Sequence, residues 1–248
     1  MWQKMKMKQI LLITDGCSNK GSDPVQAARM AHGQGIAVNV IGIVDGGDLG
    51  SAGRIEAAEI AEAGGGLSRI VEAKQLAMTM HMMTKHTVQM TIQQVVNKEL
   101  KQLLGTDAEG LPPEKRTEVA EMVDRMGDEA LLQLVLLIDT SASMHDKLPT
   151  VREAIRDLQI GLDVRKGAHQ VAILSFPGSS KEDVCVLADF SAAPNLNKLS
   201  NDLRAQGGTP TGPAIERALQ LFAGNAKPDL TPYREEDDRD GDMAAYVI

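Results

Sequence analysis

The sequence predicts an α/β fold organised on a mostly parallel β-sheet with one antiparallel edge strand. Three observations carry that prediction. Short apolar runs alternate with helical stretches through residues 9–71, and the same alternation resumes after residue 130. The segment PGSSKED then separates two apolar runs closely enough for a hairpin, which places an antiparallel strand at an edge.

Residues 9–14 (QILLIT) form an apolar run stopped by Asp15 and Gly16, as expected of a strand buried on both faces. Asp23 and Pro24 open a helix as N-cap and first helical residue, and Gly35 ends it. Residues 36–44 (IAVNVIGIV) are the next strand, residues 54–63 a helix, and Gly64, Gly65 and Gly66 turn the chain into a short strand at 67–71. This β-α-β-α-β order implies parallel strands joined by right-handed crossovers. From Lys74 to about Leu104 the period becomes helical, with Leu76, Met80, Met83, Val88, Ile92, Val95, Val96, Leu100 and Leu103 in one stripe that fits one long helix or two short ones. Residues 105–113 (GTDAEGLPP) read as a loop and residues 114–126 as a polar helix.

Residues 131–138 (LLQLVLLI) are the most apolar strand in the chain, and residues 147–165 follow as an amphipathic helix. Residues 170–176 and 184–190 are the hairpin strands, and residues 195–205 and 213–223 are helices. After Gly224 the chain turns Pro-rich and then acidic (REEDDRDGD), a composition that favours a solvated tail.

Composition narrows the function. A net charge of −8, with no basic cluster beyond Lys4, Lys6 and Lys8, argues against a nucleic-acid surface. The apolar run ending at Ile13 is too short to span a membrane or serve as a signal segment. Cys17 and Cys185 belong to no C-x-x-C pair, so free thiols in a reducing, cytoplasmic compartment are expected. Aromatic residues make up 2% of the chain, which leaves little for stacking bases or sugars.

The residues that carry chemistry are Asp139, Ser141 and Ser143, in DTSAS directly after the most apolar strand. One carboxylate and two hydroxyls in one tight loop at a strand's C-terminal end suit a hard cation such as Mg²⁺ or Mn²⁺. By itself the loop is equally suited to capping the helix that follows. D-x-S-x-S after an apolar strand resembles the metal-ion-dependent adhesion site (MIDAS) of the von Willebrand factor A (VWA) family, and GGTPTG at residues 207–212 is similar to that family's G-G-T-x-T-G loop. The last acidic ligand of the family lies in an I-T-D-G context on the next strand, where this chain runs out, but Ile13-Thr14-Asp15-Gly16 supplies it near the other end.

The resemblance therefore implies a three-layer, Rossmann-like VWA sheet that is circularly permuted, with residues 1–83 and 131–224 as one domain. Residues 84–130 would be a helical linker or insertion and residues 225–248 an acidic tail. The two central strands would be 9–14 and 131–138, so that Asp15 and Asp139 converge at the switch point where such sheets bind ligands. The implied metal set is Asp139, Ser141, Ser143, Thr209 and Asp15, around Mg²⁺ or Mn²⁺. The layout is similar to that of uncharacterised VWA proteins of Bacillus-type bacteria.

Other signals point less far. Gly47, Gly50 and Gly53 do not have dinucleotide-loop spacing, and Ser22 stands where a P-loop needs Lys. His81 and His86 fall on different faces of a helix, and Asp238, Asp240 and Asp242 lack the bidentate Glu of a calcium loop. His145 could touch something bound beside Ser143, although an exposed loop histidine explains it equally. Met78 to Met90 could form an adaptable surface, though methionines at helical spacing are more often core. A helix approaching ~45 Å would outreach the domain and could pack on the second linker helix or on another subunit as a homodimer.

The expected function is a non-enzymatic, divalent-metal-dependent protein-binding module whose ion bridges to an acidic residue of a partner protein, without nucleic-acid or membrane partners. Ser141 and Ser143 lack a nucleophile elbow and a His–acid relay. Two alternatives are a subunit working with an AAA+ ATPase or chelatase-type machine, and a phosphotransfer or phosphatase enzyme using Asp139.

Overall fold

The computed structural model describes residues 5–44, 50–178, 182–192 and 203–224. Among them the strands are β1 (Lys6–Thr14), β2 (Ile36–Val44), β3 (Gly65–Glu72), β4 (Leu131–Asp139), β5 (His169–Phe176) and β6 (Cys185–Ser191). The helices are α1 (Pro24–Gly33), α2 (Gly50–Ala63), α3 (Leu76–Leu104), α4 (Pro113–Glu129), α5 (Leu148–Asp163) and α6 (Thr211–Phe222).

One six-stranded sheet runs β3-β2-β1-β4-β5-β6, parallel throughout except for the β5–β6 edge pair. This is the expected α/β architecture, with β1 and β4 adjacent at the centre. Both strands are apolar on both faces, as interior strands of a parallel sheet covered by helices require. Ile10 to Ile13 and Leu134 to Ile138 are completely buried, whereas β3 at the edge has no buried residue.

Two cores cover the sheet. Leu11, Ile13, Leu134, Leu136 and Ile138 pack under α3, α4 and α5, while Ile10, Leu12, Val135 and Leu137 share the other core with residues of α1, α2 and α6. The two sets alternate along each strand, as the period of two requires.

Local signals set the element ends. The Asp23 carboxylate accepts a 2.8 Å hydrogen bond from Val25 N at the start of α1, with Pro24 as its first residue. The chain leaves α3 through Gly105 at φ 74°, a left-handed cap that glycine adopts without a Cβ penalty.

The long helical stretch is one continuous helix of 29 residues. Its first half lies on the sheet, burying Leu76, Met80, Met83, Val88 and Ile92, whereas Leu103 and Leu104 near its end are exposed. The boundary expected between residues 83 and 84 falls inside this helix. Val88, Ile92 and Val123 of α4 belong to the same core as β1 and β4. Polar contacts fix the helix on the sheet: Gln9 Nε2 donates to the Thr84 carbonyl and the Thr87 hydroxyl donates to Asn39 Oδ1. Met78 and Met82 point outward, so the methionine stretch is half core and half surface.

Most of the helix expected over residues 195–205 lies outside the described residues, and 203–205 are not helical. The glycine loop at 47 and the tail 225–248 with DRDGD also lie outside them. Cys17 and Cys185 are free thiols. Among the described residues no helix is long and apolar enough to cross a membrane.

Candidate functional site

Strands β1 and β4 are paired in parallel up to Ile13 and Ile138, so both release the chain at the same edge of the sheet. Asp15 and Asp139 therefore arrive side by side with no contribution from local sequence. Asp139 is completely buried at the end of β4. Its Oδ2 accepts a 2.6 Å hydrogen bond from the Thr14 hydroxyl and its Oδ1 a 2.7 Å bond from Ser141 N. Burial pushes the Asp139 carboxyl above the usual carboxylate range; the Thr14 and Ser141 hydrogen bonds pull it back, and the charge of Asp15 pushes it up again.

The two serines connect the carboxylates. Ser141 Oγ lies 3.1 Å from Ser143 Oγ, and the Ser143 hydroxyl donates to Asp15 Oδ1 at 2.7 Å. The remaining Asp15 oxygen, Oδ2, accepts from Lys147 Nζ at 2.9 Å. The capping alternative for DTSAS is not what these side chains do. Residues 142–144 make a short 3-10 turn and α5 begins at Leu148, and neither element has a side-chain hydrogen bond at its N-cap.

Thr209 is buried on the third loop. Backbone bonds join that loop to the DTSAS loop, from Gln206 N to the Thr140 carbonyl (2.7 Å) and from Ala142 N to the Gly207 carbonyl (3.4 Å). Asn19 joins it to the loop after β1, because its Oδ1 accepts from Thr209 N (2.8 Å) and its own N–H donates to the Thr209 carbonyl (3.1 Å). Gly208 leaves the space in which Asn19 sits, since a Cβ there would stand 2.6 Å from Asn19 Oδ1. On the far side of the loop after β1, Glu56 accepts from Ser18 N at 2.7 Å; burial raises the Glu56 carboxyl, and burial with the charge of Glu56 raises the Cys17 thiol.

Asp15, Asp139, Ser141 and Ser143 are thus brought into one hydrogen-bonded cluster, with Thr209 on a loop tied to both neighbours. Two carboxylates and three hydroxyls, without thiol or imidazole, form an oxygen donor set that suits a divalent cation. Among the described residues no group of three or more His, Cys, Asp and Glu offers an alternative metal site. His81 contacts the Asp157 carbonyl and His86 is exposed on another face, so the two share nothing. His145 is exposed on the loop two residues beyond Ser143.

Sequence reasoning missed Thr14, Asn19 and Lys147. Thr14 stands inside the I-T-D-G run that singled out Asp15, and Lys147 was read only as the start of a helix. Asn19 carries no local signal.

The profile of the von Willebrand factor type A domain family matches residues 133–236. The chain is 48% identical over 218 residues to YabS of Bacillus subtilis (strain 168), described as an uncharacterized protein; the match covers 87% of this chain and 89% of that protein. A crystal structure of an uncharacterized protein from Alicyclobacillus acidocaldarius is similar at a TM-score of 0.84 and 52% identity, over 88% of this chain and 94% of the other.

Proposed function

Because the chain belongs to the von Willebrand factor type A domain family, we propose that Asp139, Ser141, Ser143, Thr209 and Asp15 form a MIDAS on a circularly permuted VWA sheet, and that the protein is a non-enzymatic, metal-dependent protein-binding module. The observation that carries this reading is the continuous chain Asp139–Ser141–Ser143–Asp15, in which the Ser141 backbone N–H meets the Asp139 carboxylate and the Ser141 and Ser143 hydroxyls lead on to that of Asp15. Asp15 precedes the span matched by the family profile and reaches the site from β1, which is what a permuted order of the same strands produces.

Mg²⁺ or Mn²⁺ bound there would act as a Lewis acid toward a carboxylate of the partner protein. The residues have separate tasks. Ser141, Ser143 and Thr209 present hydroxyl oxygens on loops that backbone bonds hold in place. Asp139, locked by Thr14 and Ser141 N, supplies negative charge from a fixed position, and Asp15 supplies the second charge. Complete burial of Asp139, with both oxygens engaged, favours this electrostatic task over a phosphoryl-accepting nucleophile, which must be open to in-line approach.

Isothermal titration of Mg²⁺ and Mn²⁺ tests the site. The parent is expected to bind one ion and Asp139→Ala none while retaining its far-UV spectrum; binding undiminished in Asp139→Ala would sink the assignment. Capture of a protein partner in Mg²⁺ and its release by chelator would test the module.

A further inference from the structure

We infer that Lys147 is a tethered counter-ion that holds Asp15 in the metal-free protein and thereby lowers the affinity of the site for a divalent cation. The inference rests on the metal-site reading above and concerns what regulates that site.

The position of the ammonium is the first argument. Lys147 Nζ lies 2.9 Å from Asp15 Oδ2 and 3.3 Å from the Ser143 carbonyl. The Lys147 side chain is 14% exposed and the Asp15 side chain 3%. Four other lysine–carboxylate pairs, Lys20–Asp183, Lys74–Glu72, Lys101–Asp107 and Lys115–Glu118, have every partner at least 37% exposed. Water and salt screen those four, whereas the pair at the site is largely sheltered and interacts more strongly.

The second argument is charge. Asp15 and Asp139 leave adjacent parallel strands and are linked through Ser141 and Ser143, so two like charges stand close together. The Lys147 ammonium offsets that repulsion in the absence of metal, and it is covalently fixed to the first residue before α5, so no diffusing ion need be captured. The same positive charge opposes a divalent cation placed among these oxygens. It also engages Asp15 Oδ2, leaving Oδ1, shared with the Ser143 hydroxyl, on the side that faces the serines. With both carboxylates ionised and Lys147 in place, the loaded site carries one net positive charge, which favours a carboxylate as the next ligand.

Mn²⁺ titration of the parent, Lys147→Met and Lys147→Arg separates this role from a merely structural ion pair. Lys147→Met is expected to bind Mn²⁺ at least about tenfold more tightly than the parent, the scale on which one nearby charge shifts a site's equilibrium. Lys147→Arg, which keeps the charge, should stay close to the parent. Without metal, Lys147→Met should melt at lower Tm and gain more from saturating Mn²⁺ than the parent does. A Lys147→Met protein that melts lower but binds Mn²⁺ no more tightly would overturn the inference while leaving the metal site intact. A parent that binds no Mn²⁺ would overturn the metal reading itself and this inference with it.

Discussion

The Thr14 hydroxyl donates a 2.6 Å hydrogen bond to Asp139 Oδ2 although 125 residues separate the two in the chain. The bond joins the ends of the two central strands directly beneath the carboxylate cluster. Thr14→Val keeps the shape of the side chain and removes the donor, leaving a completely buried carboxylate oxygen unmet. The expected cost is about 1–3 kcal/mol in metal-free denaturant unfolding at pH 8, with Thr14→Ser recovering much of it. Equal stability of Thr14→Val and the parent would mean that the hydroxyl contributes nothing to holding Asp139.

The raised Asp139 carboxyl makes metal-free stability depend on pH with a definite sign. A group whose folded value lies above its unfolded one stabilises the fold at pH below the unfolded value, and that contribution is lost as pH climbs through the folded value. Asn at 139 resembles the protonated carboxyl and has no such loss. In chelator, Asp139→Asn should therefore gain stability relative to the parent between pH 4 and pH 8, values set about the usual carboxylate range. Saturating Mg²⁺ should reverse the order at pH 8, because only the parent retains the charge. Urea unfolding at the two pH values, with and without Mg²⁺, measures both differences, and a parent that gains on Asp139→Asn as pH rises in chelator would contradict the assigned sign.

Truncation along α3 will show where the helix belongs to the domain. Ile92 is completely buried between the sheet and α4, so Ile92→Ala should destabilise by about 2–5 kcal/mol. Leu103 is 77% exposed, and Leu103→Ala should stay within about 0.5 kcal/mol. Comparable effects at the two positions, read by calorimetry, would mean that the far end of α3 is also covered in solution.

The site was legible in outline because its chemistry is written in short motifs. DTSAS, GGTPTG and ITDG each carry hydroxyl or carboxylate ligands at strand ends, and a strand end followed by a turn is a local property. Thr14 and Lys147 were not legible as partners of Asp139 and Asp15, since each contact crosses more than a hundred residues and depends on strand register. Asn19 orders Thr209 through a loop with no regular period at all. The helical stretch 76–104 showed its stripe but not its continuity, because periodicity cannot tell a break from an uninterrupted helix when neither Gly nor Pro marks one.

By itself the sequence determined the strands, the apolar faces and the acidic and hydroxyl residues that end them, all of which follow from hydrophobic period and turn chemistry. The family resemblance placed β1 and β4 at the centre, and their apolar faces agree with interior positions in the sheet. The convergence of Asp15 and Asp139 was already implied by the family resemblance; only the tertiary structure decided that Ser141 and Ser143 bridge them and that a lysine takes up the second oxygen of Asp15. Those relations are set by the parallel pairing of β1 with β4 and the docking of three loops at one sheet edge. Distance in space is fixed there by packing, and nothing in the spacing of residues along the chain encodes it.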